Sequence, residues 1–403
     1  MKVLQINCVY PNGSTGKITE QIHKGLLERG EESIVCYGRG ESVHRNSVYK
    51  TSFEIYSKFN NLISRITGLM YGGCKLSTWY LIRLIKRKCP DIVHLQCING
   101  YFVNIYDLLK WLKNNDIKTI VTLHAEFMYT ANCGHAFECD KWMTHCGNCE
   151  RFREETKSWF FDRTSKSFSK MRDAFKGFEN NCVIVSVSPW LHQRAIKSPI
   201  IGEFEQTVVY NGIDENIFKY SSQNELKQKY GYYGKNIILH VTAEFCDLQE
   251  HPKGGYYILE LAKRMSEFEF VIAGNSNVQN EIPSNVKILG KITNQKVLAE
   301  YYSLADLTVI ASKRETFSMP CSESLCCGTP VVGFKAGAPE QIALDEYSEF
   351  VEYGNIDDLE IVVRNWILRK NAINRLDVAS TAKEKYSSKR MIENYYEIYK
   401  GLL

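Results

Sequence analysis

Apolar and polar positions along this chain alternate between two periods. Short runs rich in β-branched and aliphatic residues read as buried strands: VLQIN (3–7), DIVHL (91–95), TIVTLH (119–124), IVSVS (184–188) and TVVYNGID (207–214). The pattern returns in NIILHVTA (236–243), FEFVIAG (268–274), DLTVIAS (306–312) and PVVGF (330–334). Between these runs lie stretches with the 3.6-residue period of amphipathic helices, such as GYYILELAKRM (255–265) and QKVLAEYYSLA (295–305). Strands separated by helices predict parallel sheets covered on both faces, hence an α/β fold.

A chain of 403 residues exceeds what one core comfortably fills, so two doubly wound, Rossmann-like domains are expected. The turn signal Asn211-Gly212 follows a strand and marks the junction. The expected division is 1–205, then 206–388, then a helix over 389–403. Met391, Tyr395, Ile398 and Tyr399 form the apolar side of that helix, which would pack back on the first domain.

Lysine plus arginine number 50 against 46 acids, and a net charge of +4 gives no reason to expect nucleic acid as a partner. The basic residues are uneven, however. KLSTWYLIRLIKRK (75–88) reads as an amphipathic helix, with Leu81, Ile82, Ile85 and Cys89 on one face and Arg83 and Arg87 on the other. Such a helix either packs on its sheet or touches a membrane surface. No apolar run approaches the roughly 18 residues of a membrane span. MKVLQINCVYPNG reads as a first strand rather than a leader, so a cytoplasmic protein is expected, peripheral to the membrane at most. The 14 cysteines are then expected to be thiols or metal ligands.

The richest chemistry lies in RETFSMPCSESLCCGTPVVGF (314–334). Pro320 suits the first turn of a helix, and Gly328 suits its left-handed stop. The helix start near Ser318 and Met319 would offer free backbone amides and a dipole end to an anion such as a diphosphate. Glu315 would lie on the loop before it and Glu323 one turn in. Taken alone, two glutamates at this spacing are equally two solvated side chains beside a packed small-residue helix.

In context the chain resembles the GT-B glycosyltransferases of family 4, the retaining group. Glu315 to Glu323 matches the family's E-x7-E motif, followed by GTPVVGF (328–334). MKVLQINCVYPNGSTGKI, VTLH (121–124), VSVS (185–188), YNGID (210–214), HPKGG (251–255) and YYSLADLTVIASKRETFS (301–318) extend the resemblance over nearly the whole chain. The branch it most resembles makes bacterial capsule, exopolysaccharide and colanic-acid-type polymers.

The resemblance implies a GT-B fold with its active site in the interdomain cleft. It implies transfer of a sugar from a nucleoside-diphosphate donor to a glycan or lipid-linked acceptor, with retention and without a catalytic metal. Glu315 would hold donor-sugar hydroxyls and Glu323 the ribose, with backbone amides around Phe317 and Ser318 on the sugar and phosphates. Most relatives carry glycine where Ser318 stands. Lys253, in HPKGG, would neutralise the leaving diphosphate. The usual preceding arginine is missing from TAEFCDLQEHPKGG. The rival class is a non-catalytic nucleotide-sugar binder of the same fold.

In the first half, PNGSTGKI (11–18) fails as a Walker A loop, because Gly13 and Gly16 are too close and Ile18 follows Lys17. Gly16 is instead expected at a helix start that lets backbone approach the phosphates. His124 matches the family's active-site histidine beside the donor sugar. Where relatives often have aspartate next, this chain has Ala125 and then Glu126, an acceptor-side candidate with His94 of VHLQ.

Cys133, Cys139, Cys146 and Cys149 follow as C-x5-C-x6-C-x2-C. Four thiols in a short polar loop suit a tetrahedral structural zinc, with His135 as a possible substitute ligand. A disulfide pair or four reduced thiols is the alternative.

Overall fold

The structure, a computed structural model, describes residues 1–403. The chain forms two compact units, Met1–Tyr210 with Met391–Leu403, and Asn211–Arg390. The division falls after Tyr210 and Arg390 rather than after 205 and 388, for local reasons. Val209 packs into the first core. The Ile213 amide, by contrast, donates to Tyr386 O at 2.8 Å within the second unit.

The first unit holds seven strands: β1 (Lys2–Val9), β2 (Glu32–Arg39), β3 (Val48–Lys50), β4 (Ile92–Leu95), β5 (Lys118–Leu123), β6 (Cys182–Ser186) and β7 (Gln206–Val208). Their order is β3-β2-β1-β4-β5-β6-β7, every pair parallel. The order reverses direction between β1 and β4, where doubly wound sheets open a crevice at their carboxyl ends. Val3, Ile18, Ile22, Leu26, Ile92, Ile120 and Val185 form a core closed by Met391, Tyr395 and Tyr399 of the helix Ser388–Leu402. Burying such side chains stabilises by about 1.5–3 kcal/mol each. Gly25 makes this helix's close approach possible, because a Cβ there would lie 2.6 Å from Ile392 Cγ2.

The second unit repeats the plan with β8 (Ile237–Cys246), β9 (Glu269–Asn277), β10 (Val286–Gly290), β11 (Leu307–Ile310), β12 (Val331–Phe334) and β13 (Ser348–Val351). The order β10-β9-β8-β11-β12-β13 is again all parallel and reverses between β8 and β11. Ile258 and Leu261 of the helix Gly255–Arg264 pack with Leu359, Val363 and Trp366 of the helix Ile356–Arg369 against Ile238, Val309 and Val332. At the amino ends of β8 and β11, buried Asp306 takes Lys227 at 2.7 Å, Lys370 at 3.0 Å and the Ile237 amide at 2.7 Å.

Two helices depart from the sequence reading. In Lys75–Lys88 the buried apolar residues are Leu81, Leu84 and Ile85, while Cys89 ends the helix exposed, at φ +44°. Glu54–Thr67 was not expected, because the residues it buries are Ser57, Asn60 and Ser64. No helix is long and apolar enough to cross a membrane.

Candidate functional site

In the second unit the site residues gather where β8 and β11 part. The segment after β8 returns as His251–Gly255 and lies against the end of β11. Gly254 has φ +69°, and a Cβ there would sit 2.0 Å from Ala311 O; one on Gly255 would sit 2.4 Å from Cys246 O. The Lys313 amide donates to Pro252 O at 2.8 Å. These close approaches explain the Gly-Gly pair and carry Lys253 to Glu315, whose Oε1 lies 2.7 Å from Lys253 Nζ.

Glu315 is held from its other side by backbone. Its amide donates to Ala336 O at 2.9 Å, and the Ala338 amide donates to Glu315 O at 3.2 Å. Glu340 fixes that second loop by accepting from the Ala336 amide at 3.0 Å and the Gly337 amide at 2.9 Å.

The helix Met319–Cys326 starts directly after this loop, with Pro320 in its first turn. Ser318, at its N-cap, is buried at φ +79°, ψ 82°, and its side chain makes no capping bond. A left-handed backbone costs an L-residue about 1–2 kcal/mol, a cost that glycine would not carry here. Phe317 is buried beside it. The early amides of this helix point out of its first turn and favour an anion there.

Glu323, further along the helix, is buried and accepts from Tyr302 Oη at 3.0 Å. Ser324 Oγ donates to Thr308 Oγ1 at 2.8 Å, tying the helix to β11. Gly328 ends the turn at φ +80°, where a Cβ would meet Arg375 O at 2.5 Å. One end of one sheet thus presents a cation, a carboxylate and a helix N-terminus, with a second, anchored carboxylate on that helix.

In the first unit, His124 follows β5, half-buried, with Nε2 2.8 Å from Gln96 Oε1. An amide oxygen only accepts, so with this orientation Nε2 carries the proton. Burial lowers its pKa to about 4, leaving a neutral ring at pH 7.

Three further candidates in this unit are buried. Gly16 is buried within the helix Gly13–Glu28, and a Cβ there would lie 3.1 Å from Pro11 C and 3.2 Å from Val9 O. Its lack of a side chain lets the helix pack on its own entry turn. His94 is fully buried, with Nδ1 2.7 Å from Tyr399 Oη and Nε2 2.8 Å from Thr122 Oγ1, and burial lowers its pKa to about 3. It ties the C-terminal helix to the sheet and faces no acceptor. Glu126 is fully buried too: its Oε2 accepts from the Ala136 amide at 2.8 Å and pairs with Arg194 at 3.2 Å. It anchors the cysteine-bearing loop from beneath.

Cys133, Cys139, Cys146 and Cys149 are free thiols that line one small cavity of about 20 Å³ with Thr130, Asn132 and Trp142. Burial pushes the Cys146 thiol up to about 12. An all-thiol donor set suits zinc, yet no three His, Cys, Asp or Glu side chains converge closely enough here to hold a metal ion. His135 lies against Phe137 with the rings tilted by 58° and is not among the residues lining the cavity.

Gln96, Tyr302 and Glu340 were not singled out from sequence. Gln96 carries a faint signal, standing two residues after His94 and so on the same side of an extended segment. Tyr302 is one of two adjacent tyrosines in a helical run, and Glu340 acts only on backbone amides, so neither leaves a motif.

The family model of the glycosyl transferases group 1 matches residues 222–385. The putative colanic acid biosynthesis glycosyl transferase WcaC of Escherichia coli is 22% identical over 422 residues, covering 100% of both chains. Among solved structures, sucrose-phosphate synthase of Thermosynechococcus elongatus has a TM-score of 0.73 at 12% identity, covering 100% of this chain and 99% of its own. HepE of Anabaena, in complex with UDP-glucose, has a TM-score of 0.68 at 13% identity, covering 100% of both chains. Residues 222–385 are thus similar to the group 1 glycosyl transferases, and the chain has the GT-B fold.

Proposed function

We propose that this protein is a glycosyltransferase that moves a sugar, with retention, from a nucleoside-diphosphate donor to a glycan or lipid-linked acceptor in bacterial surface polysaccharide synthesis. The single observation that carries the reading is the Lys253–Glu315 pair, 2.7 Å apart, directly before the N-terminus of Met319–Cys326. A leaving diphosphate develops negative charge as the glycosidic bond breaks. A fixed ammonium and a preformed helix end stabilise that charge without reorganising. Once Lys253 turns to phosphate, Glu315 is released to accept hydrogen bonds from sugar hydroxyls.

Glu323, held by Tyr302, is assigned to the ribose, and Phe317 and Ser318 supply backbone amides. His124, neutral at pH 7, is assigned to a hydroxyl of the donor sugar. The leaving phosphate then takes the acceptor's proton, so no dedicated protein base is required. The solved relative that holds UDP-glucose supports a nucleotide sugar as donor. The relative named for colanic acid biosynthesis supports a polysaccharide product.

A melting-temperature screen of nucleotide sugars tests this reading. At a ligand concentration about 100 times Kd, binding stabilises the native state by about 2.7 kcal/mol. One nucleotide sugar should raise the melting temperature in the wild type and lose most of that effect in Lys253→Ala. No shift with any nucleotide sugar would refute the donor site.

The cysteine loop is proposed to hold one structural zinc, which would draw the four sulfurs to about 2.3 Å from a common centre. Elemental analysis of freshly reduced protein should find zinc, lost together in Cys146→Ser and Cys149→Ser. Its absence from the wild type removes this claim.

A further inference from the structure

The helix Glu54–Thr67 is inside out. Its buried positions are Ser57, Asn60 and Ser64, whereas Ile55, Phe59, Leu62 and Ile66 form a stripe at helical spacing that faces solvent. Ile55 is 84% exposed and Phe59 58%. Scattered exposed hydrophobics are ordinary, but this stripe is extended on both sides. At one end, the Leu76 amide donates to Tyr56 Oη at 3.1 Å and the Cys74 amide to Asn60 Oδ1 at 2.7 Å, which brings exposed Leu76, Trp79 and Tyr80 alongside. At the other, the Trp159 amide donates to Arg65 O at 2.7 Å, which seats exposed Trp159, Phe160 and Phe161 beside the helix's C-terminal turn.

Charge says what covers this face. Residues 53–88 hold seven lysines and arginines and a single acid, Glu54, while the whole chain carries only +4. Glu54 is already paired with Arg39. Trp79, Tyr80, Arg83, Lys86 and Arg87 line one open depression of about 570 Å³. A stripe of aliphatic residues, flanking tryptophans and tyrosine, and a concentration of cations is the composition of a segment lying in a membrane interface.

We propose that the first unit docks on an anionic phospholipid surface, inserting the Ile55–Ile66 stripe and Trp159–Phe161 while Arg83, Lys86 and Arg87 take lipid phosphates. This goes beyond the donor-site chemistry and does not depend on it. Phosphatidylglycerol and free phosphate share the recognising chemistry; the inserted apolar stripe commits the site to the lipid.

Co-sedimentation with phosphatidylcholine vesicles, with and without phosphatidylglycerol, tests it. The wild type should bind the phosphatidylglycerol vesicles and release them at high salt. The triple variant Ile55→Ser/Phe59→Ser/Ile66→Ser should bind about a hundredfold or more less tightly, since each removed side chain contributes a large transfer term. Neutralising Arg83, Lys86 and Arg87 should cost about fivefold for each cation. Because all six side chains are outside the core, melting temperatures should match the wild type. Tryptophan emission should shift to the blue and be quenched by brominated lipid only in binding-competent protein. Absent vesicle binding, or binding unchanged in the triple variant, overturns the proposal. So does a wild-type dimer that the triple variant dissociates, which would make a second copy the occupant.

Discussion

Replacing Gly254 by alanine probes how the fold delivers Lys253. The new Cβ would lie 2.0 Å from Ala311 O, at a backbone φ of +69°. A comfortable C···O contact begins near 3.3 Å, so the His251–Gly255 loop must retreat by about 1 Å. The left-handed conformation adds about 1–2 kcal/mol for any L-residue, and forced repacking adds about 1–3 kcal/mol. At about 2–4 °C per kcal/mol for a unit of this size, the melting temperature should fall by roughly 5–15 °C. Lys253 is the preceding residue, and a 1 Å misplacement of such a group costs about a hundredfold in rate. Gly234→Ala is the control. Gly234 lies in the same unit at φ +75° with nothing within 4 Å, so it bears the conformational cost alone. Scanning fluorimetry reads the stability and calorimetry with a nucleoside diphosphate reads the site. If Gly254→Ala loses no more of either than Gly234→Ala, the close approach that positions Lys253 is wrong.

Two other substitutions have signed outcomes. Ser318→Gly relieves a left-handed serine at about 1–2 kcal/mol and forfeits about 0.4–1 kcal/mol of chain entropy, so the melting temperature should rise by roughly 1–4 °C. A fall instead would show that the Ser318 hydroxyl makes a contact worth more than the strain. His94 has a folded pKa near 3 against about 6.5 unfolded, so the unfolded chain binds the extra proton between those values. Its contribution is complete above pH 6.5 and is lost as pH falls, at about 1.4 kcal/mol per unit, or about 2 kcal/mol by pH 5. The melting difference between pH 7 and pH 5 should therefore shrink in His94→Gln; an unchanged difference would contradict a neutral, doubly bonded imidazole.

How much of this was written in the sequence follows from what each residue does. Strands buried on both faces announce themselves, as VLQIN and TIVTLH do, because most of their positions must be apolar, even though Gln5, Asn7 and Thr122 are buried among them. β2 begins with Glu32 and Ser33 and ends in Gly38-Arg39, and β10 and β13 lie at a sheet edge with mixed burial, so their patterns are diluted. Lys253 and Glu315 stood out because their chemistry sits in glycine- and proline-marked loops, and the structure brings them to 2.7 Å. His94 and Glu126 misled for one reason: a buried polar residue satisfied by distant partners looks, in one dimension, like a free functional group. Tyr399 lies 305 positions from His94 and Arg194 lies 68 from Glu126, so nothing local reveals the pairing. The Glu54–Thr67 helix was missed because its period points outward, which is also what makes it informative.

The central claim is that Lys253 serves the diphosphate and Glu315 serves the sugar. Glu315→Gln separates the two, since it removes the negative charge and leaves the ammonium facing a neutral amide in place of its 2.7 Å carboxylate partner. Calorimetry and turnover on that single variant decide the matter. The account predicts that the nucleoside diphosphate binds as tightly as in the wild type or tighter, while sugar transfer falls by about a hundredfold or more. Transfer at the wild-type rate, or loss of diphosphate binding along with it, would contradict the assignment.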